Sequence, residues 1–555
     1  MTEHIDKRIK LDDSMAQDNS IVCDDQDRLV GLTDKLHNFL KGYQSLKCDP
    51  CKVVSIVRNA SCCFRCALRM LGCRESDLYV LTEKELIEAF VSFDPSVSYE
   101  PLEETCAACV GVLQQADTTR VIDAVVDRLT TEDYQTKSYT FYVTLPVSLL
   151  PRNHALALHV YNQLKEQGLD VEAATAVRND QVDAKEPVRA VVGQQLMNKM
   201  GMQQSTEAGL KMTVVFSHPE TVGDHVFLTT VSNPVVKLLK QRKKGQVFFT
   251  GDSRNTIIEG LKSLDDKEAM SAMPVPPKPV ETAFELKIEL LHESTLVGGR
   301  YIKLSREYSQ TPWSIRGQRL TEFSVSESIG EPLKKYFKCD DYKFVTAGRE
   351  DANVRMLGHG RPFYMQMVNP RIPEVPEDLY LKMEEEINHS SNSESVLVRH
   401  LARIQPGDVN IIKEGEQTKR KTYSALVWLA KPFTDDLIEK LNAIGSTQFE
   451  ISQRTPIRVL QRRAHMVRPK QIYHLSVQKL PARIQGSDEH QEAKGHFARL
   501  IMDTEAGTYI KEFVHGDLGR TNPSFASLTG AAADILDLDV LEVDLVWPPH
   551  IKTSM

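Results

Sequence analysis

A chain of 555 residues is long enough for two to four domains, and 41% hydrophobic with 26% charged residues is ordinary for a globular protein. A net charge of −8 gives no global sign of a nucleic-acid partner, although a locally basic face would still attract one. No apolar run is long enough to cross a membrane, and the N-terminus lacks an apolar signal core. The expectation is an intracellular protein, in nucleus or cytoplasm.

Residues 1–26 are polar and read as a disordered tail, with "KRIK" as a weak nuclear address or a solvated basic cluster. From about 27 to 110 the apolar spacing is helical. "TEKELIEAFVSF" starts with Thr82 and places Glu85 three residues later, the pattern of a capping box. From about 111 to 262 helices ("VIDAVVDRL", "HALALHVYNQLKEQG") alternate with strands ("SYTFYVTLPVSLL", "KMTVVFSHPE"). Residues 27–270 therefore read as an α/β accessory region. "SAMPVPPKPVE", residues 271–281, holds four prolines and reads as a linker. Residues 282–555 mix strands ("FELKIELL", "PFYMQMV", "TYSALVWLA", "QIYHLSVQKL") with helices ("SVSESIGEPLKKYF", "PEDLYLKMEEEINHSS"), and the fold class is α+β.

Nine of the ten cysteines lie between Cys23 and Cys109, and Cys339 alone lies beyond. Cys63-x-x-Cys66 and Cys106-x-x-Cys109 could supply four thiolates to one structural Zn²⁺. Cys62 and the Cys48-x-x-Cys51 pair compete for the register. Buried apolar thiols and a redox dithiol are the other readings of the same residues.

Two stretches are basic. Residues 451–486 hold eight Lys or Arg and no acid, among them Arg462 and Arg463, with His465 and Tyr473 as groups that could stack on RNA. An ordinary solvated face fits them as well. "KLLKQRKKG", residues 237–245, reads as a helix end, where cations are favoured regardless of function.

No phosphate loop, no G-x-S-x-G and no H-E-x-x-H occurs. What remains is "TAGREDANVRMLGHGRPF", residues 346–363, a glycine-rich stretch holding Glu350 and Asp351 among Arg349, Arg355 and Arg361. It resembles the catalytic loop of pseudouridine synthases. The closer likeness is to the archaeal and eukaryotic tRNA pseudouridine synthases that carry a zinc-containing, THUMP-type N-terminal region. "YSQTPWSIRGQR", "KTYSALVWLA", "TPIRVLQRRAHMVR", "AGTYIKEFVHGDLGRT" and "DILDLDVLEVDLVWPP" agree in order, and the paired C-x-x-C motifs fit the same family.

The resemblance implies a mixed-sheet synthase domain and a tRNA substrate, with the uridines of the TΨC loop as target and no catalytic cofactor. It also implies roles. Asp351 stands at the family's obligatory aspartate, Tyr423 at the tyrosine that stacks on the target base, and Lys511 at the basic partner of the aspartate. Leu528 matches a leucine that lines the pocket, and Arg349, Arg355 and Arg361 would meet the RNA backbone or brace the loop. Glu350 is the rival carboxylate, because side-chain chemistry alone does not separate it from its neighbour. An RNA-binding protein with an inactive synthase domain is the alternative from another class. The expected oligomeric state is a monomer.

Overall fold

The computed structural model describes residues 25–549, apart from 118, 233, 235, 236, 241–246, 251, 252, 391–393 and 481–494. Residues 1–24 of the expected tail with its "KRIK" cluster and Cys23, and the ends of both basic stretches, thus lie outside the described residues, while Asp25 and Gln26 already belong to a helix. The chain divides after Leu290 into two compact units, the second also holding Glu132–Thr136.

The first unit begins with helices Asp25–Leu46, Pro50–Asn59, Phe64–Met70 and Glu83–Phe93. Their starts follow from local chemistry. The Asp49 carboxylate accepts from the Cys51 amide at 2.9 Å ahead of Pro50, a residue suited to a first turn. Thr82 and Glu85 form the expected reciprocal capping box. Further along, strands Ser138–Thr144 and Leu210–Ser217 pair in parallel, with Gln203–Gln204 and Glu285–His292 at the sheet edges. Helices Leu149–Glu166, Val171–Asn179 and Lys185–Met200 make the crossover that a parallel pair requires.

Two expectations change here. The 271–281 segment belongs to the first unit: Val280 is buried and Arg152 Nη1 donates to Lys278 O at 2.8 Å. Its prolines shape a packed strap, not a free linker. Lys237–Lys240 is a strand paired with Val247–Thr250 and not a helix end, because the β-favouring "VFFT" segment supplies it with a ladder.

The second unit is built on one mixed sheet. Its strands lie in the order Val396–Arg403, Thr295–Lys303, Arg355–Val368, Ala533–Val543, Lys421–Leu429, Phe497–Thr504, Val467–Lys479, Phe449–Arg454, Thr521–Asn522. Asp341–Thr346 adds to the Arg355–Val368 strand. Helices Val325–Phe337 and Glu377–Asn388 cover a core that includes Val297, Phe363 and Met365.

One irregularity positions the loop that carries the candidate catalytic residues. The Arg355–Val368 strand changes partners part-way along. Along one edge Arg355 and Met356 pair in parallel with Asp539 and Val540, whereas Phe363 to Val368 pair antiparallel with Asp341–Thr346; along the other edge the antiparallel pairing with Thr295–Lys303 shifts register between Met356, opposite Lys303, and Arg361, opposite Tyr301. Gly358 and Gly360 make the switch, with φ of +60° and +82°. A Cβ at Gly358 would sit 2.0 Å from Leu541 O and one at Gly360 2.6 Å from Tyr301 O, so only glycine fits at either position.

Candidate active site and cysteine cluster

The loop bearing Asp351 leaves the sheet after Thr346 and returns at Arg355. Its base is closed, because Thr346 pairs with Phe363 and the Ala347 amide donates to Pro362 O at 3.0 Å. Gly348 (φ +91°) passes so close to two cations that an added Cβ would lie 2.9 Å from Lys421 Nζ and 3.0 Å from Arg361 Nη1.

The two adjacent carboxylates have opposite environments. Glu350 has only 1% of its side chain exposed and is ion-paired with Arg361, itself 2% exposed, at 2.8 Å. The Tyr301 hydroxyl donates to both Glu350 oxygens, at 2.7 and 2.9 Å. Gln310 Nε2 donates to that hydroxyl at 2.8 Å and to Gly348 O at 3.1 Å. Arg361 Nη1 donates to Ala347 O at 2.9 Å, so the buried pair ties the loop to the sheet. Glu350 is fully committed to this network.

Asp351 points outward, with 52% of its side chain exposed, and Lys511 Nζ donates to its Oδ2 at 3.0 Å. Partial desolvation pushes its carboxyl pKa up. The Lys511 hydrogen bond and the charges of Lys511, Arg458 and Arg349 outweigh that and hold it below the usual carboxylate value. Asp351 is therefore ionised at neutral pH. Lys511 comes from the first turn of helix Ile510–His515, whose start is fixed by Gln453: its Nε2 donates to Tyr509 O and its Oε1 accepts from the Tyr509 amide, both at 2.9 Å.

Tyr423 sits on the Lys421–Leu429 strand, half-buried, near the Glu350–Arg361 pair. Burial raises its hydroxyl pKa, the Arg361 charge opposes that and Glu350 reinforces it. Leu528, on the short helix Phe525–Thr529, is half-buried against the same core.

Arg361 and Arg355 do not stand where an RNA backbone would reach both. Arg361 is enclosed, and Arg355 is bound through two nitrogens to Asp539, at 2.8 and 2.6 Å. The physical reason is the strand switch, which turns Arg361 inward and lays Arg355 against the C-terminal strand. Arg349, Arg462 and Arg463 are exposed, and their side chains form no ion pair among the described residues. His465 is also exposed, but the Tyr473 ring is covered by the Arg420 guanidinium 3.8 Å from its centroid.

Several site residues escaped the sequence reading. Lys303 is fully buried and donates to Tyr308 O, Asp351 O and Ala352 O at 2.8, 3.2 and 2.7 Å, while burial lowers its pKa to about 8. Burial and the Arg361 charge likewise lower Lys421 to about 8. Lysines inside strand patterns, where burial is unexpected, were the available sign.

In the first unit, Cys63, Cys66, Cys106 and Cys109 converge, their sulfurs all within 4.8 Å of one another and all four residues buried. Cys63 Sγ lies 3.9 Å from Cys109 Sγ, and Cys106 Sγ lies 3.8 Å from Cys66 Sγ. Four ligands at the ~2.3 Å zinc–sulfur distance of a tetrahedral site would stand about 3.8 Å apart, so the donor set fits such an ion. The Cys63 amide points at Cys106 Sγ (3.2 Å) and Arg69 Nη1 at Cys66 Sγ (3.9 Å), both donors toward thiolate charge. Cys62 donates to Ala60 O at 3.3 Å, and Cys48 and Cys51 lie outside the cluster.

Residues 296–544 match the family described as "Pus10, C-terminal", and residues 106–289 match "Eukaryotic Pus10, N-terminal". Human "tRNA pseudouridine synthase Pus10" is 37% identical over 447 residues, covering 80% of this chain and 79% of that protein. "Putative tRNA pseudouridine synthase Pus10" of Drosophila melanogaster is 29% identical over 530 residues, covering 90% and 98%. The Methanopyrus kandleri "tRNA pseudouridine synthase Pus10" is 37% identical over 269 residues, covering 46% of this chain and 57% of that protein. Among solved structures, "Crystal structure of pseudouridylate synthase" aligns with 51% of this chain and 84% of that one, at 14% identity and a TM-score of 0.17. No helix among the described residues is long and apolar enough to cross a membrane.

Proposed function

This chain belongs to the Pus10 family of pseudouridine synthases, and on that premise we propose that it isomerises uridine to pseudouridine in the TΨC loop of tRNA, at position 55 or 54. The observation that carries the site assignment is the contrast between Glu350, locked to Arg361 and Tyr301, and Asp351, exposed and held ionised by Lys511.

The reaction breaks the C1′–N1 glycosidic bond, turns the uracil and joins C5 to C1′, after which the C5 proton leaves. Atoms balance with no redox step. Two routes use the same carboxylate: attack on C1′, or removal of the C2′ proton to give a glycal. Lys511 orients Asp351 and keeps it charged. Tyr423 offers its ring to the uracil, and Leu528 packs at the pocket wall. The uridine must leave its stack to reach Asp351. Phosphate contacts fall to Arg349, Arg462 and Arg463, because Arg355 and Arg361 are occupied within the fold.

Cys63, Cys66, Cys106 and Cys109 would hold one structural Zn²⁺, which would tie Phe64–Met70 and its preceding turn to the 106–109 segment. The THUMP-like first unit would bind tRNA by shape and phosphate contacts. The protein works as a monomer inside the cell, in nucleus or cytoplasm, where its substrate resides.

Modification mapping of an unmodified tRNA transcript incubated with the purified protein tests this reading. Pseudouridine is expected in the T loop with the wild-type chain. Asp351→Ala should lower the rate by roughly 10³-fold or more while tRNA binding persists. Full activity in that variant defeats the assignment.

A further inference from the structure

Between Tyr308 and Val325 the chain forms a small hairpin beside the Asp351 loop. Strands Ser314–Ile315 and Gln318–Arg319 pair across Arg316 and Gly317, whose φ values of +50° and +83° mark a tight primed turn. The root is fixed in three ways. Leu320 N donates to Trp313 O at 2.9 Å, the Ser309 and Thr321 hydroxyls meet at 2.7 Å, and the Tyr308 and Phe323 rings stack at 5.8 Å. On this base Trp313 is 43% exposed, and Ile315 and Leu320 of the same hairpin are 52% and 45% exposed.

Trp313 faces a cleft of about 360 Å³, which it lines together with Ser309, Gln310, Arg349, Asp351 and Asn353. The Ser309 and Gln310 side chains are committed to internal hydrogen bonds. Beside the Asp351 carboxylate and Asn353, the indole and the Arg349 guanidinium are left to receive a ligand. Tyr423 and Lys511 do not line this cleft. Asp351 lines it, so the cleft opens onto the site assigned above to the reacting uridine. Arg316 at the hairpin tip adds a second exposed cation without an ion pair among the described residues. An exposed aromatic face with exposed cations in the same cleft and hairpin suits a nucleobase and its phosphate, since base–aromatic stacking needs no particular base.

We infer that Trp313 is the stacking platform for the nucleotide next to the target uridine, with Arg349 and Arg316 meeting the flanking phosphates. The inference rests on the RNA-modifying reading above. Stacking on one side of the catalytic loop holds the strand at the point where the uridine is drawn out, so Trp313 is a substrate-binding residue and not a catalytic one.

The test uses the full-length protein and an unmodified tRNA transcript. Trp313 is one of three tryptophans, and Trp547 is buried with its Nε1 donating to Phe363 O at 2.8 Å. A stacked base quenches indole emission, so tRNA should quench the wild-type fluorescence, and the quench should vanish in Trp313→Phe. Trp313→Ala should raise KM roughly tenfold with kcat little changed, and Trp313→Phe should restore KM to within about twofold because it keeps an aromatic face. A quench that survives in Trp313→Phe, or an unchanged KM in Trp313→Ala, overturns the inference. The binding readout does not depend on turnover. Trp313-dependent quenching without pseudouridine formation would defeat the functional reading alone, whereas pseudouridine formation without it would defeat this one alone.

Discussion

The cysteine cluster and the Asp351 loop gather reactive groups in opposite ways. The four thiols are buried, face inward and are surrounded by donors, so whatever they bind is enclosed. The loop buries one of its two carboxylates and leaves the other half in solvent against a single lysine. A closed donor set serves folding, because every favourable contact is already made in the resting protein. An open one serves chemistry, because something must still arrive. The Glu350–Arg361 pair shows both purposes within two residues: the enclosed acid supports the exposed one.

This contrast can be broken by experiment. The largest effect on stability is expected from Cys63→Ser combined with Cys106→Ser. A structural zinc site of this type contributes on the order of 10 kcal/mol of folding free energy. The double variant should lose one equivalent of zinc by elemental analysis and expose the 25–117 region to limited proteolysis. A wild-type protein purified without metal would refute the site. Asp351→Ala should behave in the opposite sense, with melting temperature nearly unchanged because an exposed ion pair contributes ~1 kcal/mol or less.

Next in size is Glu350→Ala, which leaves Arg361 buried without its counter-ion. Removing one partner of such a pair costs about 3–5 kcal/mol, read as a drop in melting temperature of roughly 10 °C for a unit of this size. Activity should fall with it, since the loop loses its brace. A variant with native stability and no activity would instead make Glu350 the reacting carboxylate.

The smallest change separates position from charge. On the proposed reading the ionised form of Asp351 is the active one, so activity is expected above its pKa and is lost as pH falls through it. Lys511 holds that pKa below its ordinary value, so Lys511→Met should move the acid limb of the kcat profile to higher pH and slow the reaction roughly 10- to 100-fold. An acid limb that stays in place would show that Lys511 only shapes the loop.

Local signals in the sequence were reliable where the cause was local. The Thr82–Glu85 capping box stands as read, and so do the strands around "FELKIELL", "TYSALVWLA" and "QIYHLSVQKL". The paired C-x-x-C spacing found the cluster because a knuckle is a short-range object. The arginines were harder. Arg349, Arg355 and Arg361 look alike in sequence, yet one is exposed, one is bound to Asp539 and one is enclosed with Glu350. Their fates are set by the Gly358–Gly360 partner switch and by strands far along the chain. Lys303 and Lys421 escaped for the same reason, since their burial depends on packing from distant segments. The 271–281 prolines misled because proline fixes the backbone but does not say whether the stiffened segment packs.

The partner switch at Gly358 and Gly360 also has a temporal side. The hairpin joining Asp341–Thr346 to Arg361–Val368 needs only local chain closure. Seating Arg355 on Asp539 joins positions 184 residues apart. Contacts of such long separation are the last to repay the entropy of closing the chain. In a protein made from its N-terminus, the end of the loop joined to Asp341–Thr346 can close before the end joined to Ala533–Val543. Both ends of the loop are thus fixed only once Ala533–Val543 is in place.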